Sequence, residues 1–100
     1  HSVDSSKKAI ALTERNAALA PNAGRHIAYA DDVLGFLKNH PAEYDLLVLD
    51  PPAFAKHMGA RHAALMGYKR LNAAGIAHLA PGGLFHPEGA YLKGLVLAVE

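Results

Sequence analysis

One hundred residues make one small domain or a piece of a larger one. With 51% hydrophobic and 19% charged residues and a mean hydropathy of +0.05, the chain is globular and too apolar for a disordered tail. A formal charge of +1, from ten Lys+Arg against nine Asp+Glu, excludes the basic signature of a free-standing nucleic-acid binder.

His1 to Val3 reads as the end of a strand. "DSS" then supplies a cap for a helix over about residues 5–20, stopped by "PNAG". "HIAYA" is a short strand. "DDVLGFLKN" predicts a helix over about residues 32–39, with Val33, Phe36 and Leu37 on one face and Pro41 beyond its end. "YDLLVLD" is the continuous apolar run of a strand covered on both faces, which places residues 46–49 in a central strand. From Arg61 to Ala80, Leu65, Tyr68, Leu71, Gly75, Ile76 and Leu79 recur at helical spacing, and "PGG" ends that helix. "LF" opens another strand, and "AYLKGLVLAVE" reads as a final one.

Alternating strands and helices are the grammar of an α/β fold, a mostly parallel sheet with right-handed crossovers, in a single domain over 1–100. One junction departs from it. The strand opened by "PGGLF" is turned at once by "HPEG", with no helix before the final strand, so a segment is expected to be missing there.

No run approaches a membrane span, and the first residues do not resemble a signal peptide, so a cytoplasmic location is the default and no membrane partner is expected. Among the seven histidines, His57, His62 and His78 lack the spacing of a metal site, and His86 is expected in a loop before Pro87. No metal site is predicted.

In open α/β sheets, ligands bind outside the carboxyl ends of the strands. Asp4, the Asp31-Asp32 pair and Asp50 fall at such ends. A carboxylate after one strand suits ribose hydroxyls, one after the next an adenine amino group, and a third whatever reacts with a nucleoside cofactor. The plainer reading is that Asp4 and Asp32 cap the helices after them, worth about 1 kcal/mol each.

"LLVLDPPAFAK" is more specific. Each proline fixes φ near −65°, and a residue before proline avoids the helical region. Asp50 and the carbonyls around Pro51-Pro52 are thereby pre-positioned to hold the exocyclic amine of a flipped base, with Phe54 against its ring. The competing reading is a strand-ending turn with Phe54 in the core.

"VDSSKKAIALTERNAAL", "DDVLGFL", "YDLLVLDPPAFAKH", "GYKRLN", "LAPGG" and "HPEGAYLKGLVL" together resemble class I S-adenosylmethionine-dependent methyltransferases. The chain is most similar to the ribosomal RNA large subunit methyltransferase I family, which methylates C5 of cytosine in 23S rRNA. The resemblance implies a partial Rossmann-like fold, S-adenosylmethionine as cofactor and ribosomal RNA as partner. It implies that Asp4 meets the cofactor ribose and Asp32, or less favourably Asp31, the adenine side. Asp50, Pro51, Pro52 and Phe54 then form the catalytic motif between methyl group and base.

Two departures from the family pattern shape the expectation. The glycine-rich loop that holds the methionine part of the cofactor, and an RNA-binding PUA domain further upstream, would precede "VDSS", and neither is within these residues. The family also continues after "PGGLL" into a strand ending in "SCS", whose cysteine is the nucleophile, whereas "PGGLF" here runs directly into "HPEG". C5 of cytosine is a poor nucleophile until a thiolate adds at C6, and the chain has no cysteine. The expectation is a partial methyltransferase domain with weak or absent cofactor binding and no family reaction by itself. The alternatives are an exocyclic-amine N-methyltransferase, which needs no cysteine, or a non-catalytic remnant that folds alone or as a homodimer. Lys56, Arg61, Lys69 and Arg70 suit RNA phosphates, although solvated helix faces commonly carry such charges.

Overall fold

The computed structural model describes residues 1–22, 24–51, 61–87 and 97–98, and the chain divides into two compact units, His1–His40 and Pro41–Glu100. Each is α/β and built on a parallel strand pair.

In the first unit, Ser2–Asp4 (β1) pairs in parallel with Ala28–Ala30 (β2), so Val3 stands opposite Tyr29 and Asp4 opposite Ala30. Between them runs helix α1, Lys7–Leu19. It starts later than the sequence suggests because two serines are consumed in the turn. Asp4 Oδ1 accepts the Ser6 N–H at 2.7 Å, and the Ser6 hydroxyl in turn accepts the Ala9 N–H at 3.2 Å as the N-cap. At the far end the Ala20 N–H turns back to the Ala17 carbonyl at 3.1 Å. Pro21 cannot propagate the helix from there. The crossover from β1 through α1 to β2 is the expected unit, and α1 packs on both strands.

Helix α2, Val33–Asn39, follows β2 directly. Phe36 and Leu37 are buried and Val33 is half-buried, which agrees with the face read from the sequence. Tyr29 of β2 lies 4.7 Å from the Phe36 ring. His40 stacks on Phe36 at 4.3 Å with an interplanar angle of 17° and meets Tyr29 edge-on at 5.3 Å. Such ring pairs add about 0.5–1.5 kcal/mol beyond their area burial. They let seven helical residues hold to a two-stranded sheet too short to be stable on its own.

In the second unit, Tyr44–Leu49 (β3) pairs in parallel with Leu79–Pro87 (β4), joined by helix α3, Arg61–Ile76. The buried stripe of α3 is Ala64, Tyr68, Leu71 and Gly75, a 4-3-4 spacing that places all four on one side. Leu65, assigned to that stripe from the sequence, is 65% exposed, because Ala64 takes its place one residue earlier. At Gly75 the helix comes so close to the sheet that an added Cβ would lie 2.8 Å from methyls of both Leu47 and Leu49.

Three sequence expectations are corrected here. The helix ends at Ile76 and not near Ala80, and "LAPGG" belongs to β4. While β3 advances from Tyr44 to Leu46, its partner advances from Leu79 to Leu84, so the glycines make a bulge inside the strand. Gly82 takes φ +79°, which glycine adopts without strain. Gly83 lies where a Cβ would sit 2.9 Å from the Ala80 carbonyl and 3.0 Å from the Tyr44 carbonyl. His86, expected in a loop, is instead a strand residue opposite Val48.

The second correction concerns "LLVL". Among the described residues β3 pairs with β4 alone, in the order β3-β4-β5, and is therefore an edge strand. Its alternate residues divide accordingly. Leu49 is buried under α3, whereas Leu46 and Val48 are 60% and 55% exposed. One face is covered, where the apolar run suggested two.

The third concerns strand direction. Leu97–Ala98 (β5) pairs antiparallel to β4, Leu84 opposite Ala98 and Phe85 opposite Leu97. Only residues 88–96 separate the two strands, and a parallel return needs a crossover of about a dozen residues or more. The core of this unit is Leu49, Ala64, Tyr68, Leu71, Leu79 and Phe85.

Candidate functional site

The parallel pairing of β1 and β2 brings their carboxyl ends to one side of the first unit. Asp4 ends β1, and Asp31 and Asp32 follow β2. The Asp31 N–H donates to the Asp4 backbone carbonyl at 3.0 Å, so the acidic groups of successive strands meet across one main-chain hydrogen bond. All three residues are exposed.

Their side chains are held locally. Asp4 Oδ1 accepts the Ser6 N–H, Asp31 Oδ1 accepts the Asp32 N–H at 2.8 Å, and Asp32 Oδ2 accepts the Gly35 N–H at 2.9 Å. Asp32 is the N-cap of α2. Asp4 sits ahead of the cap of α1, which is Ser6, so the capping role read for Asp4 belongs to Ser6. Each carboxylate has two oxygens with about four acceptor sites. Among the described residues, each of the three spends one oxygen on a backbone N–H and leaves the other unbonded. The helix-start role and a ligand role are therefore compatible in the same side chain. This set of acceptors, pinned by backbone N–H groups, fits the hydroxyls of a ribose and the amino group of an adenine, which donate.

Asp50 stands directly beyond β3 in the second unit. It is exposed, next to buried Leu49 and half-buried Pro51. It has no hydrogen bond or ion pair to any described residue. Pro52, Phe54 and Lys56 lie outside the described residues, and so does His57. Arg61, Lys69 and Arg70 are exposed on α3. Among the described residues, no three His, Asp or Glu side chains converge as metal ligands, and no helix is long and apolar enough to cross a membrane.

Sequence reasoning missed two contacts in the first unit. The Ser2 hydroxyl and His26 Nε2 are 2.9 Å apart, tying β1 to the segment entering β2. His40 contacts the Phe36 carbonyl through both its backbone N–H, at 2.9 Å, and Nδ1, at 3.1 Å. The sequence signal for the second was a histidine one position past a short apolar helix, a common C-terminal arrangement.

Comparison with known proteins gives this geometry its context. No family model matches the chain. A ribosomal RNA large subunit methyltransferase of Deinococcus radiodurans is 39% identical over 87 residues, covering 83% of this chain and 21% of that protein. Over most of its length the chain is similar to ribosomal RNA large subunit methyltransferases. Ribosomal RNA large subunit methyltransferase I of Shewanella amazonensis is 34% identical over 85 residues, covering 81% of this chain and 22% of its own length. That of Yersinia pseudotuberculosis is 31% identical over 87 residues, with 83% and 22% covered. The chain thus spans about a fifth of the length of these methyltransferases. An aligned stretch covering 83% of a 100-residue chain must include "LLVLDPPAFAK". The family resemblance carried by the sequence motifs is therefore sound.

Proposed function

We propose that this chain is part of an S-adenosylmethionine-dependent methyltransferase domain that acts on large-subunit ribosomal RNA, at C5 of cytosine. The observation that carries this reading is the similarity, over most of the chain, to proteins named ribosomal RNA large subunit methyltransferases. The geometry supports it, because Asp4 and the Asp31-Asp32 pair end neighbouring parallel strands, where open α/β sheets bind nucleotides.

Asp4 would accept from the ribose hydroxyls, and Asp32, with Asp31 as the neighbouring choice, would face the adenine side. The cofactor supplies the methyl group when bound. Asp50 and the carbonyls around Pro51-Pro52 would hold the base, with Phe54 against its ring. These residues would orient cofactor and base, and none of them supplies the thiolate that the C5 reaction needs. With no cysteine in these residues, the chain by itself does not complete that reaction. The same observation favours a second reading, in which "DPPAF" holds an exocyclic amine that attacks directly.

A hybrid tests the proposal. This chain's residues 1–87 replace the matching stretch of the Deinococcus radiodurans methyltransferase, and methyl incorporation into large-subunit ribosomal RNA is measured. Transfer to a cytosine C5 supports the first reading, and transfer to an exocyclic amine supports the second. A hybrid that melts cooperatively and binds cofactor yet transfers nothing contradicts both.

A further inference from the structure

The charges of the second unit are segregated. The acids among its described residues, Glu43, Asp45 and Asp50, lie on or beside β3, whereas α3 carries Arg61, Lys69 and Arg70 and no acidic residue. All three cations are exposed, and none is paired with an acid among the described residues. With Ala64, Tyr68, Leu71 and Gly75 facing the sheet, the 100° step per residue puts Met66 and Ala73 at the centre of the outer face. Lys69 and Arg70 then stand about 50° to either side of that centre, whereas Arg61 falls about 130° from it, off this face. Met66, 45% exposed, lies between them, and Leu65, 65% exposed, lies beside Lys69 one turn back. Two cations flanking exposed apolar atoms, with no anion interleaved, are complementary to a polyanion that also presents flat apolar surfaces.

We propose that the outer face of α3 is an RNA-contacting surface, with Lys69 and Arg70 on backbone phosphates and Met66, with Leu65 at its margin, against a sugar or base face. This rests on the RNA methyltransferase reading and adds to it where the RNA backbone lies. Each phosphate contact releases counterions, at about 0.7 units of the log–log salt slope per contact on single-stranded nucleic acid.

The test is fluorescence anisotropy of the 100-residue chain against a labelled single-stranded fragment of large-subunit ribosomal RNA, across a salt series. The double variant Lys69→Gln/Arg70→Gln should lower the slope by about 1.4. The charge-keeping Lys69→Arg/Arg70→Lys should retain most of it, and Lys7→Gln/Lys8→Gln, an equal charge change on α1, should leave it within error. Circular dichroism melts confirm that each variant is folded. An unchanged slope in the α3 variant, or an equal drop in the α1 variant, overturns the proposal and leaves the methyltransferase reading standing. A folded chain that binds no RNA overturns this surface alone, whereas the methyltransferase reading falls only with a folded, cofactor-binding hybrid that transfers nothing. Loss of self-association in the α3 variant, seen by light scattering without a change in RNA binding, would make the face a protein interface.

Discussion

Gly75→Ala places a methyl group where α3 comes closest to its sheet. The new Cβ would sit 2.8 Å from Leu47 Cδ2, 2.8 Å from Leu49 Cδ1 and 3.3 Å from Phe85 Cε2. Ordinary carbon–carbon contact begins near 3.5 Å, so both leucine methyls must retreat by roughly 0.7 Å. Leu47 is half-buried and can rotate, but Leu49 is 7% and Phe85 1% exposed. Overpacking a core typically costs about 1–3 kcal/mol. Against this stands the gain of about 1 kcal/mol from replacing a helical glycine with alanine. The overpacking term wins, for a net loss of about 1 kcal/mol. For a chain of this size that is a drop of roughly 4–8 °C in melting temperature. Urea unfolding followed by circular dichroism measures it directly, as a lower midpoint at unchanged slope. A variant stabilised by about 1 kcal/mol, as expected for a glycine in an open helix face, would refute the α3–sheet packing described here.

Asp32→Ala should destabilise the chain by about 1 kcal/mol through loss of the α2 cap, with Asp32→Asn close to neutral in the same denaturation assay. Asp50→Ala, at an exposed position with no described partner, should change stability by no more than about 0.5 kcal/mol. In the hybrid methyltransferase it should lower methyl transfer at least about tenfold, the scale for losing a positioned polar group. Wild-type transfer with an unchanged melt would make Asp50 a strand terminator only. In calorimetry the 100-residue chain should show no submicromolar affinity for S-adenosylmethionine, and such an affinity, abolished by Asp4→Ala, would contradict the weak site inferred here.

Local chemistry was legible in the sequence, and coverage was not. Caps and apolar spacing located α1, α2 and the start of α3, because serine, aspartate and the 3.6-residue period act within a few residues of themselves. The carboxylates at strand ends were legible for the same reason. "LLVL" misled because a continuous apolar run implies two covered faces, yet what covers Leu46 and Val48 is a matter of partners far along the chain. "LAPGG" misled differently. A Pro-Gly-Gly after a helical pattern is a common stop signal, and here the same residues serve a bulge whose tight approach to the Tyr44 carbonyl is a tertiary fact. The antiparallel β5 follows from connection length. The compatibility of cap and ligand roles in Asp32 needed coordinates, since only they show which oxygen the Gly35 N–H uses.

The central claim is that the carboxyl ends of β1 and β2 form the adenosine side of a methyltransferase site. Amide chemical-shift perturbation in the ¹⁵N-labelled chain, titrated with S-adenosylmethionine, tests it most directly. The account predicts weak, millimolar binding that moves the amides of Asp4 to Ser6 and Asp31 to Val33, and loses those shifts in Asp4→Ala. Saturating cofactor that moves none of these amides, or moves only those of α3, would contradict it.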